Sequence, residues 1–176
     1  IAFEPDEMNA ALLTNNVKRN SADAVNIHKI ALSDTAGEKK FYRYSNRNLG
    51  RHSLLPLNDG EVETVTSMTL DDFWEQNCQA SDRPRFIKID TEGYELQVVR
   101  GAEKVLKQCP AVLAEYSPGF MQKGGVDPAD FVDFMGERGF VPHRLSSASE
   151  ALLISLASLR ISAVTENILW LNSSNG

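Results

Sequence analysis

Between residues 86 and 116 the pattern of apolar side chains changes character twice. A short apolar run, FIKI at 86–89, stops at Asp90 and turns through Thr91, Glu92 and Gly93. Leu96, Val99, Ala102 and Leu106 then recur at the spacing of one helix face, and a second apolar run, AVLAEY, fills 111–116. Strand, helix and strand in this order constrain the fold more than any other feature of the chain, because such alternation builds a mostly parallel sheet covered by helices on both faces.

The rest of the chain extends the same alternation. Ile1, Ala2 and Phe3 read as the end of a buried strand, and Asp6 is placed to cap a helix to about Asn20, with Met8, Ala11 and Leu12 on one face. Residues 24–32, AVNIHKIAL, read as one strand, followed by turn chemistry at 33–38. Two further β-like pieces, KKFYRYS and VETVTSM, flank a polar loop over 46–60. Thr69, with Asp72 three residues on, marks the start of a short helix bearing Leu70, Phe73 and Trp74. Asp127 and Pro128 open another, with Phe131, Phe134 and Met135 inward and Gly139 as its stop. FVPHRL and NILWL are expected to be the last two strands, while 147–166 carry no clear pattern. Neither an internal repeat nor a long linker divides the chain, so one domain over 1–176 is expected.

Bulk properties exclude several functions. A net charge of −6 without a Lys/Arg run argues against a nucleic-acid surface. The longest apolar stretch, ALLISLASL at 151–159, is too short to span a membrane and is interrupted by serines. Cys78 and Cys109 form neither a CxxC nor a cysteine-histidine cluster, which argues against structural zinc and a disulfide framework. Two ordinary thiols and no visible signal peptide point to the cytoplasm. The chain begins with Ile inside an apolar run, so a piece of a longer protein is expected.

In open α/β sheets ligands bind outside the carboxyl ends of the strands. Glu4, Ser33 with Asp34, Asp90 with Glu92, and Glu115 all stand where a strand is expected to end. A carboxylate such as Glu4 has two oxygens and can accept bonds from both hydroxyls of a ribose, although an acid here also suits a helix N-terminus. Asp90 and Glu92 can orient an amine, take a proton from a hydroxyl, or hold a divalent cation. Glu115, with Tyr116 and the loop after it, can floor a substrate pocket. Glu95, one turn into the helix, reads as a surface group. His52 lies in the polar loop, where function is often placed; His28 and His143 belong to strands, and no two histidines are spaced as a metal pair.

Together these pieces resemble a known family. IAFEP, the helix ending NNV, IALSDTAGE, RHSLLP, TLDDFW, FIKIDTEGYELQVVRGAEKVL and VLAEY occur in the order and spacing of the FkbM-type methyltransferases. The resemblance covers about residues 1–116 well and the remainder loosely, and IKID-x-EG-x-E with V-x-RGAE is its specific part. It implies a Rossmann-like class I methyltransferase sheet, mostly parallel with a closing antiparallel strand. It also implies S-adenosyl-L-methionine as cofactor and O-methylation of a hydroxyl on a sugar or small metabolite. On the matching motifs Glu4 would be the ribose acid, Ala31, Leu32, Ser33 and Asp34 would lie along the adenine, and Asp90 with Glu92 would serve the acceptor. His52, Glu115 and Tyr116 would line the acceptor site, and no metal is demanded.

The family's first strand and its glycine-rich loop should precede IAFEP, and nothing in this sequence does. The expected consequence is two unpaired strand edges facing a gap, filled by a longer native chain or by a second copy through strand exchange or a homo-oligomer. Two other readings compete: an NAD-dependent oxidoreductase, which also places an acid at the end of its second strand, and a catalytically silent α/β interaction module.

Overall fold

The computed structural model describes residues 1–44, 52–57, 60–146 and 150–173. The expected polar loop lies largely outside them, as does part of 147–166. The first elements are β1 (Ala2–Phe3), α1 (Glu7–Arg19), β2 (Ile27–His28) and β3 (Ala31–Leu32). Next come β4 (Gly37–Tyr42), β5 (Val62–Met68), α2 (Leu70–Asn77) and β6 (Ile87–Ile89). Then follow α3 (Glu95–Arg100), α4 (Glu103–Leu106), β7 (Ala111–Tyr116), α5 (Pro118–Lys123) and α6 (Pro128–Glu137). The described chain closes with β8 (Phe140–Leu145), β9 (Ala151–Leu153), α7 (Leu156–Arg160) and β10 (Glu166–Asn172).

The α/β architecture is as the sequence implies, but the strands fall into three sheets. A five-stranded sheet has the order β6-β7-β10-β8-β9, β1 pairs with β2, and β3-β5-β4 make a third. Parallel pairing holds for β1 with β2, β3 with β5, and β6 with β7. The closing strand β10 runs antiparallel to β7 and β8, with Ile168 opposite Ala114 on one side and Arg144 on the other. Residues 24–32, expected as one strand, divide at Lys29-Ile30 between two sheets. The skipped beat in their alternation is that division: β2 stays with β1, and β3 joins β5.

The core lies where α3, α4 and α6 cover the large sheet. Val112, Ala114, Ile168 and Trp170 are buried on it, and the Phe131 ring meets Trp170 edge-on at 5.7 Å. Burying a side chain such as Phe131 or Met135 contributes about 1.5–3 kcal/mol. The caps match the sequence: Thr69 Oγ1 accepts from the Asp72 amide at 3.0 Å, and Asp127 Oδ1 from the Ala129 amide at 2.9 Å. Asp6 caps α1 through the Asn9 amide at 2.8 Å. The face expected for α1 is corrected: Met8 and Leu12 are about half exposed, and Ala10 is the buried residue.

The helix expected after Asp90 is broken. Gly101 lies so close to the Ser33 carbonyl that a Cβ there would overlap its oxygen. α3 therefore ends, and α4 starts anew under a cap from another helix. Asp71 of α2 accepts the Lys104 amide at 2.9 Å and the Val105 amide at 3.0 Å.

β1 and β6 are both sheet edges, and side chains of both line one cavity of about 750 Å³. Ala2 and Phe3 border it from one side and Ile87 and Ile89 from the other, with Leu70, Val98 and Leu106 as its apolar floor. This cavity separates the two strands.

Candidate active site

The polar end of the cavity is formed where β1 and β6 stop. Glu4 follows β1, Asp90 and Thr91 follow β6, His52 and Ser53 come from the loop after β4, and Tyr94 opens α3. A volume of this size with few polar groups at one end matches small-molecule and cofactor sites.

Glu4 is anchored by its backbone, whose amide donates to the His28 carbonyl at 3.1 Å across the β1–β2 pair. Its Oε1 accepts from the Asp6 amide at 2.8 Å. Burial pushes the Glu4 carboxyl up, the Asp6 charge adds to this, and the bonds from the Asp6 amide and Asn9 side chain oppose it. Asp6 is itself buried, and Arg43 Nη2 stands 2.8 Å from its Oδ2. The alignment there makes an ion pair and not a hydrogen bond. Arg43 also reaches Glu63 at 3.1 Å, so it ties the turn carrying Glu4 to the β4–β5 ladder.

Of the segment expected to lie along an adenine, Ala31 and Leu32 line the cavity. Ser33 is fully buried behind it, with Oγ 2.8 Å from the Tyr94 hydroxyl and 3.0 Å from Asp34 Oδ1. Ser33 and Asp34 therefore shape the cavity wall through Tyr94 without lining it. His52 is a lining residue, and its Nδ1 accepts from the Tyr44 amide at 2.9 Å, which fixes the ring.

The strand-end acids do converge. Asp90, Glu92 and Glu115 bring one oxygen each within 4.8 Å of one another, an arrangement able to hold a cation. Lys88 Nζ sits 2.6 Å from Asp90 Oδ2, exposed enough that the pair adds little stability. The Ser117 hydroxyl donates to Glu115 Oε2 at 2.7 Å.

Two readings of the sequence are corrected here. Tyr116, expected at the acceptor site, is fully buried on the other face of β7; its hydroxyl donates to the Leu159 carbonyl at 3.1 Å, and burial pushes the phenol up to about 12. Alternation along β7 explains this, since Glu115 and Tyr116 must point to opposite faces. Glu95, expected on the surface, is fully buried, and desolvation pushes its carboxyl up to about 7 against the bonds it accepts. Ser53 was not singled out by the sequence. It is buried, with Oγ 3.3 Å from both the Thr91 and Glu92 carbonyls. Its signal was its place beside His52 in RHSLLP. Asn9, which no motif marked, and Trp74, which closes the TLDDFW motif, also line the cavity.

The cavity suits an adenosine-bearing group: apolar walls for a ring, and at the polar end a part-buried carboxylate beside Asn9 for a diol.

Known proteins narrow the reading. Hexuronic acid methyltransferase AglP of Haloferax volcanii is 26% identical over 136 residues, which are 77% of this chain and 52% of that protein. The crystal structure of the methyltransferase FkbM from Methylobacillus flagellatus KT superposes with a TM-score of 0.51 at 16% identity. That match covers 96% of this chain and 35% of the other, and at this identity it speaks for the fold alone. The chain thus spans about half the length of its curated relative. Among the described residues no helix is long and apolar enough to cross a membrane. The methyltransferase FkbM domain matches residues 1–142, and the chain belongs to that family.

Proposed function

We propose that this chain carries the cofactor and acceptor cleft of an S-adenosyl-L-methionine-dependent O-methyltransferase acting on a hydroxyl of a sugar or related small metabolite. The observation that carries the reading is the shared cavity between β1 and β6, with Glu4 at one strand end and Asp90 at the other. The sugar class is taken from the name of the hexuronic acid relative.

Bound S-adenosyl-L-methionine supplies a methyl group on a sulfonium that is already a good leaving group. The chain's own task is then alignment more than bond activation. Glu4, part-buried and held by the Asp6 amide, would accept both ribose hydroxyls. Ala31 and Leu32 would pack along the adenine ring. Asp90 or Glu92 would orient the acceptor hydroxyl and take its proton as the new bond forms. His52 lines the same cavity and Glu115 stands beside Asp90, and both are candidate acceptor contacts. An oxidoreductase is set aside by the family membership, although both classes use an acid like Glu4.

Methyl transfer from radiolabelled S-adenosyl-L-methionine to a panel of uronic acids and neutral hexoses tests the reading. Transfer to one sugar class, lowered about a hundredfold or more in Asp90→Asn, is the expected result for a general base. Transfer unchanged in Asp90→Asn and in Glu92→Gln would remove both acids from the chemistry.

A further inference from the structure

The turn after β6 adopts a geometry that its own residues oppose. Asp90, Glu92 and Glu115 gather three carboxylates, and like charges at that spacing repel. Glu92 has φ +53°, the left-handed region that a residue with a Cβ adopts only at a cost. Gly93, at φ +97°, leaves no room for a side chain: a Cβ there would lie 2.9 Å from that of Phe120. The group that compensates lies behind the turn. Glu95 Oε1 accepts from the Thr91 amide at 2.9 Å, the Thr91 hydroxyl at 2.9 Å and the Gly93 amide at 3.2 Å. Its Oε2 is buried without a hydrogen-bond partner.

Packing alone would place a leucine at a fully buried first-turn position. The neighbours Leu96, Val98 and Val99 are all such residues. A carboxyl there loses its hydration, which is why its affinity for a proton rises. Besides its own amide, the three donors that it satisfies belong to the turn, on both sides of left-handed Glu92. On the front of the same turn the Thr91 and Glu92 carbonyls face Ser53 Oγ.

We propose that Glu95 is a positioning residue of the cleft: from behind, its buried carboxyl gathers the Thr91 and Gly93 donors and so fixes the left-handed turn that sets Asp90 and Glu92 beside Glu115. The catalytic meaning of that placement rests on the function proposed above; the placement itself does not.

The test compares Glu95→Leu and Glu95→Gln in the cofactor-free chain by amide hydrogen exchange and proton shifts. Leucine keeps the packing and removes the acceptor, while glutamine keeps one acceptor oxygen. In Glu95→Leu the Thr91 and Gly93 amides are expected to exchange about tenfold faster or more, with Val112 and Ile168 unchanged. Their proton shifts move upfield as the bonds to oxygen are lost, and Glu95→Gln recovers most of both effects. Unchanged exchange at Thr91 and Gly93 in a folded Glu95→Leu overturns the proposal, as does loss spread evenly over the core without recovery in Glu95→Gln. If Glu95→Leu does not fold, Glu95→Met, which also removes the acceptor, is read in its place. Faster exchange confined to the turn supports the proposal, and wild-type exchange there overturns it. Binding of S-adenosylhomocysteine by the wild-type chain is read separately, so failure of the functional reading would leave the exchange result standing.

Discussion

Arg43 lets Asp6 stay buried as a charged cap beneath the turn that presents Glu4. Removing the cation leaves that carboxylate without its partner, and Arg43→Met is expected to cost about 3 kcal/mol in chemical denaturation. A stability equal to wild type would show that Asp6 is held by its cap bond alone. Glu95 makes a prediction of opposite character. Its folded-state value of about 7 exceeds the ordinary 4.5, so between these pH values the folded chain binds more protons than the unfolded one. The stability this residue adds is complete below pH 4.5 and is lost as pH rises through 7, by about 3 kcal/mol over that window. Relative to Glu95→Gln, the wild type should therefore lose melting temperature from pH 5 to pH 8. A difference that does not change with pH would show that Glu95 does not titrate in this range. Arg43 was not legible in the sequence, and Glu95, the last residue of the IKID-x-EG-x-E motif, was read as a surface group. Glu95 sits where a helix surface was expected, because nothing local reveals that the turn before it folds back to seek an acceptor.

At the scale of elements, patterns that depend on a few neighbours were readable, and those that depend on distant contacts were not. β5 and β7 have the limits that their alternation implies, and the Thr69 and Asp127 caps form as their side chains dictate. The division of 24–32 between two sheets and the break at Gly101 come from partners far away in the chain: β5 for the first, and the Ser33 carbonyl for the second. β9 and α7 lie in the stretch without a pattern, since β9 is exposed throughout and gives no alternation to read. Gly101→Ala tests the break directly. Helix propensity favours alanine by about 1 kcal/mol. Backbone overlap outweighs this, and we expect a net loss of about 2 kcal/mol or more by denaturation. A stabilised variant would show that α3 and α4 can merge and move away from Ser33. The candidate site divides the same way: the acids at Glu4, Asp90, Glu92 and Glu115 were visible as strand ends, whereas Ser53 and Asn9 reach the cavity only through tertiary folding.

For the whole molecule, stability is uneven. The side of the sheet around β7 and β10 is paired on both edges and packed under α6, and Phe131→Ala there should cost about 3–5 kcal/mol. β1 and β6, on opposite sides of the cavity, each have an unpaired edge, and Glu4 and Asp90 follow those two strands. The cleft thus lies between two separate sheets, and a ligand touching both would hold them together by mass action. That coupling makes cofactor binding the most direct test of the account. Calorimetric titration with S-adenosylhomocysteine, on the wild type and on Glu4→Ala, should show binding that the substitution weakens about tenfold or more, equivalent to about 1.4 kcal/mol. Binding of equal strength in both would contradict the role given to Glu4, and no binding to either would contradict the claim that this cavity takes the cofactor.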